Sequence, residues 1–246
     1  METIEWHVNM LDSTQSTNSY LDALDTNTPQ PEGCVVAARE QLAGRGQRGN
    51  SWEAAPGENL TFSYLLRPAA VAPQEQFVLS QAVSLAVVDV LLQYAPDFTV
   101  KWPNDIYYRD SKIAGILIEH TLTEGHIGRT IVGIGLNVNQ MQFISDAPNP
   151  ISLRQITGVQ YDIDKLLQQI LEATSQRYEM CLIRRDELQS DYMKMLYRRE
   201  GFYPYRDKDG IFEACIEDVQ PNGMLHLRDT RGVVRVYAFK EVTFIL

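Results

Sequence analysis

A short segment between residues 38 and 52 concentrates positive charge on a flexible backbone. It reads AREQLAGRGQRGNSW, with glycines at positions 44, 46 and 49 and arginines at positions 39, 45 and 48. Glycine lets backbone amides approach an anion closely, and a guanidinium grips carboxylate or phosphate oxygens with two parallel hydrogen bonds. The segment therefore predicts an anion-binding loop, although on its own it fits a solvated surface loop as well.

A second segment, KWPNDIYYRDSKIAGILIE at residues 101–119, combines two amines with a carboxylate. Lys101 and Lys112 flank a predicted hairpin, and Asp105 follows the stiff turn at residues 102–104. Strands hold such groups at fixed positions, which suits the alignment of a reacting phosphoryl group. The alternative is a surface hairpin with ordinary lysines, in which Trp102 anchors the core and Asp105 caps the turn.

A third segment, GIGLNVN at residues 133–139, ends a predicted strand with two asparagines. Asn137 and Asn139 have side chains that can read the edge of a base or cap a turn, and the pattern alone favours the turn. The chain has no GxxxxGK[ST] motif and no GxGxxG motif ahead of a predicted helix. The sequence therefore predicts neither a P-loop nor a Rossmann nucleotide site.

The elements that must position these residues follow an α/β pattern. Runs rich in β-branched and aromatic residues predict strands at GCVVAARE, NLTFSYLLRP, FTVKWP and TIVGIGLNVN. The stretch from 74 to 94 is apolar nearly all round, as in a buried helix, and STNSYLDAL predicts a short helix with a Ser/Thr N-cap. Residues 162–196 predict one or two amphipathic helices.

The last fifty residues predict a small all-β module. The strands GIFEACIEDV, GMLHLRD and VVRVYAFKEVTFIL are separated by turn signals at residues 209–210, 221–223 and 231–232. We therefore expect two domains, at residues 1–195 and 196–246.

The composition of the chain restricts the kind of ligand that it is expected to bind. The chain has 246 residues, 44% of them hydrophobic, and a formal net charge of −10. An acidic chain is not expected to bind nucleic acid. Because Arg45, Arg48, Lys101 and Lys112 fall within the two segments above, local positive charge on an acidic body predicts a small anionic ligand.

Neither secretion nor membrane insertion is expected. The longest apolar stretch, FVLSQAVSLAVVDVLL, is interrupted by polar residues, and the start of the chain does not resemble a signal peptide. Cys34, Cys181 and Cys215 are far apart and the four histidines form no ligand-spaced cluster. These features predict reduced thiols, no structural transition metal and a cytoplasmic location.

Together, the motifs resemble those of the biotin protein ligases (biotin–[acetyl-CoA-carboxylase] ligases). STN, GRGxRG followed by W, KWPND, KxAGILxE and GxGLNVN occur in the family's order and spacing, and the resemblance covers nearly the whole chain. It implies an α/β (α+β) fold, with a catalytic domain like that of class II aminoacyl-tRNA synthetases, built on a mixed or antiparallel sheet. A small SH3-like β-barrel is expected to follow.

The resemblance also implies a reaction in two steps. The biotin carboxylate attacks the α-phosphate of ATP, with Mg²⁺ on the triphosphate, and biotinyl-5′-AMP forms as pyrophosphate leaves. A lysine of a biotin carboxyl carrier protein then takes the biotinyl group and releases AMP. Carboxylate and triphosphate repel each other, so the enzyme needs fixed cations where charge accumulates.

The family motifs assign residues to these steps. Arg45 and Lys112 are expected to bridge the carboxylate and the α-phosphate, while Thr17 and Gln41 suit the uncharged ureido ring of biotin. Asp105 is expected to orient the incoming amine, take its proton or help to hold a metal, and these alternatives stay open. The full set of expected ligand-binding residues is Ser16, Thr17, Asn18, Gln41, Gly44, Arg45, Gly46, Arg48, Trp52, Lys101, Lys112, Gly115 and Asn137.

We also expect the glycine-rich loop to act as a lid. Ordering residues 44–52 costs on the order of 10 kcal/mol of backbone entropy. Stacking of Trp52 on adenine returns only about 1–3 kcal/mol. Phosphate contacts and apolar closure must supply the rest, so the loop is expected to be mobile when empty and to close over the adenylate, excluding water.

The chain departs from the family pattern at Gln47, where arginine is common, and this predicts leakier release of the adenylate. Some relatives carry an N-terminal DNA-binding domain, but here the catalytic motifs begin within about fifteen residues of Met1. We therefore expect a ligase without repressor activity.

Two alternative functions are a lipoate–protein ligase and a non-catalytic ligand-binding module. GRGxRG with KWPND matches biotin ligases better, and a non-catalytic module is expected to lack one of Arg45, Lys101 and Lys112. We expect the carrier to bind through a sheet edge or the barrel, because acidic partners would be repelled. The sequence does not choose between monomer and homodimer.

Overall fold

A seven-stranded sheet forms the larger part of the protein in the computed structural model, which describes residues 4–47, 50–144 and 149–245. Its strands, in chain order, are β1 (His7–Thr14), β2 (Cys34–Gln41), β3 (Leu60–Leu66), β4 (Phe98–Lys101), β5 (Asp105–Tyr108), β6 (Ser111–Thr123) and β7 (His126–Leu136). The spatial order is β1-β2-β3-β7-β6-β5-β4. Only β1 and β2 run parallel, so the sheet is mixed, as predicted.

Helices cover both faces of this sheet. The helices are α1 (Thr17–Asn27), α2 (Phe77–Leu91), α3 (Leu153–Thr157), α4 (Ile163–Ile183) and α5 (Arg185–Lys194). Nearly every side chain of α2 is buried, because α2 lies between the sheet and helices α4 and α5. On the opposite face, Leu21 of α1 packs with Val36 and Leu65 in a smaller apolar cluster.

A second sheet follows α5. Its strands are β8 (Tyr203–Asp207), β9 (Gly210–Val219), β10 (Leu225–Asp229), β11 (Val234–Tyr237) and β12 (Thr243–Phe244). They are all antiparallel, in the order β11-β10-β9-β8-β12. This sheet confirms the predicted all-β module. Closure into a barrel and the division at residues 195 and 196 stay predictions.

The observed elements differ from the predicted ones in a few places. The hairpin expected around residues 109–111 is present as β5 and β6, but β1, α3 and β8 were not predicted. The last predicted strand is in fact two strands, β11 and β12. Ser16 occupies the N-cap position of α1, yet its side chain makes no capping hydrogen bond, so capping does not account for this residue.

Two further expectations concern cysteines and membranes. Cys34 and Cys181 are buried free thiols, and Cys215 is a partly buried one. Within the part of the chain that the structure describes, no helix has the length and apolar character needed to cross a bilayer.

A buried carboxylate ties α1 to the sheet. Asp25 accepts hydrogen bonds from the Gln30 amide at 2.7 Å, from Arg67 Nη2 at 2.8 Å and from Arg129 Nη1 at 2.9 Å. Burial would raise the pKa of Asp25, but these hydrogen bonds and the two guanidinium charges outweigh it and hold the pKa below its ordinary value.

Replacing this carboxylate should destabilise the fold. Asp25→Ala leaves Arg67 and Arg129 without their shared partner, so we expect the free energy of unfolding at pH 7 to fall by about 3 kcal/mol. Because the folded-state pKa is lowered, the contribution of Asp25 is complete above the ordinary aspartate pKa of about 3.9 and is lost as the pH falls through the lower value. Urea denaturation measures both effects. The exposed Asp12→Ala is the control, and equal losses in the two variants would contradict this assignment.

Candidate functional site

A cavity of about 440 Å³ lies where four parts of the chain meet. Its walls come from the start of α1, the loop after β2, the β4–β7 region and the connection between β11 and β12. Eleven of the predicted ligand-binding and catalytic residues line it, namely Ser16, Thr17, Asn18, Gln41, Arg45, Gly46, Trp52, Lys101, Asp105, Lys112 and Gly115. Residues that are scattered over the first half of the chain therefore share one pocket.

Of the three remaining predicted residues, two do not line the cavity and one lies outside the described residues. Gly44 is just behind the wall, where its carbonyl accepts a hydrogen bond from the Trp52 amide at 2.9 Å. Asn137 is buried and donates to the Ile151 carbonyl at 3.1 Å, so its amide ties the end of β7 to a distant segment. Its role as a nucleotide-binding residue stays a prediction. Arg48 lies outside the described residues.

One end of the cavity is a chain of neutral hydrogen-bonding groups. Gln41 Oε1 accepts from the Thr17 amide at 2.8 Å and from Thr17 Oγ1 at 3.1 Å. Ser63 is fully buried on β3, and its Oγ atom lies 2.7 Å from Thr17 Oγ1 and 2.6 Å from Asn18 Oδ1. Because each group fixes the next, this end of the cavity is preorganised for a polar, uncharged ligand group.

Arg45 is held by a carboxylate that the sequence analysis did not select. Its guanidinium approaches Glu119 Oε1 at 2.6 Å and Oε2 at 3.4 Å, and donates to Ser19 Oγ at 3.1 Å. Glu119 also accepts from Asn18 Nδ2 at 2.9 Å. The sequence feature that could have identified Glu119 is its position at the end of the KxAGILxE motif.

The hairpin places two amines beside a carboxylate, as the motif predicted. Lys112 Nζ lies 2.6 Å from Asp105 Oδ1, because β5 and β6 pair across the turn, and both side chains are about three-quarters buried. Lys101 Nζ donates to the Tyr107 hydroxyl at 2.8 Å. Burial, and then the nearby charge of Lys112, lower the pKa of Lys101, while Asp105 opposes the change.

Glycines on two strands create the space that the Trp52 indole occupies. A β-carbon on Gly135 would lie 2.5 Å from Trp52 Nε1, and one on Gly115 would lie 3.1 Å from Cζ3. Lys112 Nζ is 5.6 Å from the centre of the indole ring. The Trp52 N–H is buried, and no described residue accepts a hydrogen bond from it.

The loop that carries Arg45 and Trp52 closes on itself. Arg45 and Ser51 form an antiparallel bridge, and the Gly46 amide donates to the Asn50 carbonyl at 2.7 Å. A β-carbon on Gly44 would lie 2.5 Å from the Trp52 carbonyl oxygen, so this position requires glycine. The two ends of the loop are therefore fixed relative to each other.

The second sheet supplies one wall that was not predicted. Phe239, Lys240, Val242, Thr243 and Phe244 all line the cavity. Sequence reasoning missed them because strands of a separate module carry no signal of what they pack against.

The cavity is positive although the chain is acidic. Among its described lining residues, four are cationic (Arg45, Lys101, Lys112 and Lys240), and Asp105 is the one carboxylate. A site with this charge, a neutral polar end and a partly buried indole can hold a molecule with anionic, polar and aromatic parts.

The chain is similar in sequence to known proteins. The sequence model of the Biotin/lipoate A/B protein ligase family matches residues 10–137. The "Bifunctional ligase/repressor BirA" of Bacillus subtilis is 31% identical over 242 residues, which cover 93% of this chain and 70% of the relative. A "Biotin--[acetyl-CoA-carboxylase] ligase" of Paracoccus denitrificans is 34% identical over 174 residues, covering 67% of this chain and 70% of that protein.

A solved structure has the same fold. The Aquifex aeolicus biotin protein ligase, determined in complex with biotin and ATP, superposes with a TM-score of 0.79 at 24% identity. The match covers 96% of this chain and 97% of the Aquifex chain, and it confirms the expected fold across both sheets.

Adding a methyl group at Gly135 should displace the indole. The new β-carbon of Gly135→Ala would collide with Trp52, so we expect a loss of about 1–3 kcal/mol in the free energy of unfolding. In a Trp52→Ala background the same change should cost almost nothing, because its clash partner is gone. Urea denaturation of the four proteins measures the coupling. Equal costs in both backgrounds would show that Trp52 does not fill this space.

Proposed function

The chain belongs to the biotin/lipoate A/B protein ligase family, and we propose that it is an ATP-dependent biotin ligase that acts on a lysine of a biotin carboxyl carrier protein. The observation that carries this proposal is the shared cavity, in which Arg45, Lys112 and the neutral Thr17–Gln41 group lie together. The Paracoccus relative and the Aquifex structure are both named as biotin ligases, which favours biotin over lipoate as the substrate.

Each part of the two substrates finds a matching part of the cavity. Thr17 and Gln41 offer neutral donors and acceptors to the ureido ring of biotin. Trp52 offers a flat aromatic surface to adenine. Arg45 and Lys112 provide positive charge where the carboxylate of biotin meets the α-phosphate of ATP.

Adenylation is a substitution at phosphorus. A carboxylate oxygen of biotin forms a bond to the α-phosphorus, the bond from that phosphorus to the α,β-bridging oxygen breaks, and pyrophosphate leaves with the electron pair. In the second step, the lysine amine attacks the acyl carbon, AMP leaves and the amine loses a proton. Lys112 and Arg45 reduce the repulsion between the reactants, because their charges are already fixed in the site.

The carboxylate of Asp105 fits a magnesium-bound triphosphate. Mg²⁺ is usually held by one or two carboxylates together with substrate phosphates, and it neutralises phosphate charge. Asp105 would be the protein ligand, and its pairing with Lys112 keeps it within the cavity. Asp105 could instead orient the incoming amine or accept its proton. The rate of transfer from preformed biotinyl-5′-AMP in Asp105→Asn distinguishes these two roles, which act in the second step, from a role in adenylation.

An unpaired sheet edge beside the cavity suits the carrier. Strand β6 pairs with β5 only up to Gly115, so the outer edge from Leu117 to Thr123 has no strand partner among the described residues. Ile116 and Leu117 line the main cavity, and a second cavity of about 390 Å³ lies along the same edge. A carrier β-strand added here would bring its lysine to the acyl carbon.

The central test combines the protein with biotin, ATP, Mg²⁺ and a carrier domain. We expect a mass increase of one biotinyl group on the carrier, and none with lipoate. Lys112→Ala should slow pyrophosphate release by about 10²–10³, because a fixed cation is lost. Lys165→Ala, which removes an exposed lysine on α4, is the matched control. Turnover of Lys112→Ala near that of the control would remove Lys112 from the reaction.

Closure of the loop predicts ligand-dependent protection from protease. The sequence of the loop holds two trypsin sites, after Arg45 and after Arg48, and the exposed Arg231, which precedes a glycine as Arg45 does, gives a distant site for comparison. With biotin and ATP present, cleavage after Arg45 should slow at least about tenfold, because the closed loop does not fit the protease. Cleavage after Arg231 should not change. Equal rates after Arg45 with and without ligands would refute the lid.

A further inference from the structure

A turn of the second sheet presents a lysine at the wall of the main cavity. Lys240 follows β11 and lies among the residues that line the cavity, together with its neighbours Phe239 and Val242. It is the only cation that the second sheet contributes to the described lining. No sequence motif pointed to it.

The turn that carries Lys240 is rigid. The Glu241 carboxylate accepts a hydrogen bond from the Ala238 amide at 2.8 Å, and the Glu241 amide donates to the Ala238 carbonyl at 3.1 Å. Phe239 packs edge-on against Trp102, with ring centres 6.2 Å apart, and Val242 is buried. These contacts therefore hold the backbone that carries the exposed Lys240 ammonium in a defined position.

The backbone of Lys240 is strained, which is unusual for an exposed lysine. Its φ is +72°, a conformation that L-residues with a β-carbon rarely adopt and that glycine adopts freely. Glycine at this position would relieve the strain. A strained residue that is held by its neighbours is a reason to look for a function in its side chain.

Lys240 also differs from the other cations of the cavity because, among the described residues, its ammonium has neither an ion-pair partner nor a hydrogen-bond partner. Arg45 is paired with Glu119, and Lys112 with Asp105. Lys101 is bonded to the Tyr107 hydroxyl. Among the described residues, no carboxylate forms an ion pair with Lys240, whose ammonium lies 5.9 Å from the Phe239 ring centre.

We propose that Lys240 binds the β- and γ-phosphate oxygens of ATP and retains its contact with pyrophosphate as this product forms, an assignment that rests on the proposed ligase function. The α-phosphate must lie near Lys112 and Arg45, where the carboxylate attacks. The proposal places the remaining phosphates towards the second sheet, which adjoins this point: Lys101 Nζ lies 5.6 Å from the Phe244 ring centre and the adjacent Trp102 contacts Phe239. Lys240 is the free positive charge at that end.

The decisive variant is Lys240→Gly, because it removes the ammonium and suits the positive φ. We expect the KM for ATP to rise about tenfold with the KM for biotin unchanged, and inhibition by added pyrophosphate to weaken by a similar factor. Transfer from chemically prepared biotinyl-5′-AMP should proceed at the wild-type rate, since that step involves no pyrophosphate. Lys240→Arg should keep most of the ATP affinity.

Lys208→Ala provides the matched control, because it removes an exposed lysine from the β8–β9 turn of the same module. An unchanged KM for ATP in Lys240→Gly, or equal rises in the KM values for ATP and biotin, would overturn the assignment. Calorimetric titration of each protein with a non-hydrolysable ATP analogue and Mg²⁺ separates this proposal from the ligase function. Weaker binding in Lys240→Gly supports the phosphate contact even if the wild-type protein made no adenylate, and unchanged binding refutes it.

Discussion

The central constraint on this protein is the repulsion between anions that must meet in one cavity. The chain as a whole is acidic, so any positive site has to be assembled locally from fixed cations. Two of these cations, Arg45 and Lys112, are already paired with Glu119 and Asp105. Such pairs hold long side chains in the cavity in defined positions, and the Lys112–Asp105 pair also keeps largely buried charge from standing alone.

These ion pairs also affect how strongly an anionic ligand can bind. An incoming carboxylate or phosphate has to compete with Glu119 for the Arg45 guanidinium, and it gains less than it would from a free guanidinium. At the Thr17–Gln41 end of the cavity the competition is between neutral groups, because Gln41 Oε1 already accepts two hydrogen bonds from Thr17. The affinity for the neutral ring of the ligand therefore depends on hydrogen bonds between neutral groups, and the affinity for its anionic parts depends on competition between charges.

The sequence allowed good prediction wherever the signal was local. The hairpin that holds Asp105 and Lys112 was visible from its alternation and turn residues, and α2 from its continuous apolar character. Strand β1 was missed because it is an edge strand whose side chains are mostly exposed, so it lacks a buried alternating face. Glu119 and Lys240 were missed for another reason: their importance comes from contacts with residues more than seventy positions away or from another sheet.

The two sheets are joined at the residue that follows Lys101. The Trp102 indole N–H donates to the Gly223 carbonyl at 3.0 Å, its ring contacts Phe239, and it belongs to the common core. The Phe77 amide at the start of α2 donates to the Pro221 carbonyl of the same module at 3.2 Å. Through Trp102, which directly follows Lys101, the second sheet packs against the end of the strand that carries Lys101. The small module is therefore part of the cavity, and the burial of Trp102 against it agrees with the interpretation of this tryptophan as a core anchor.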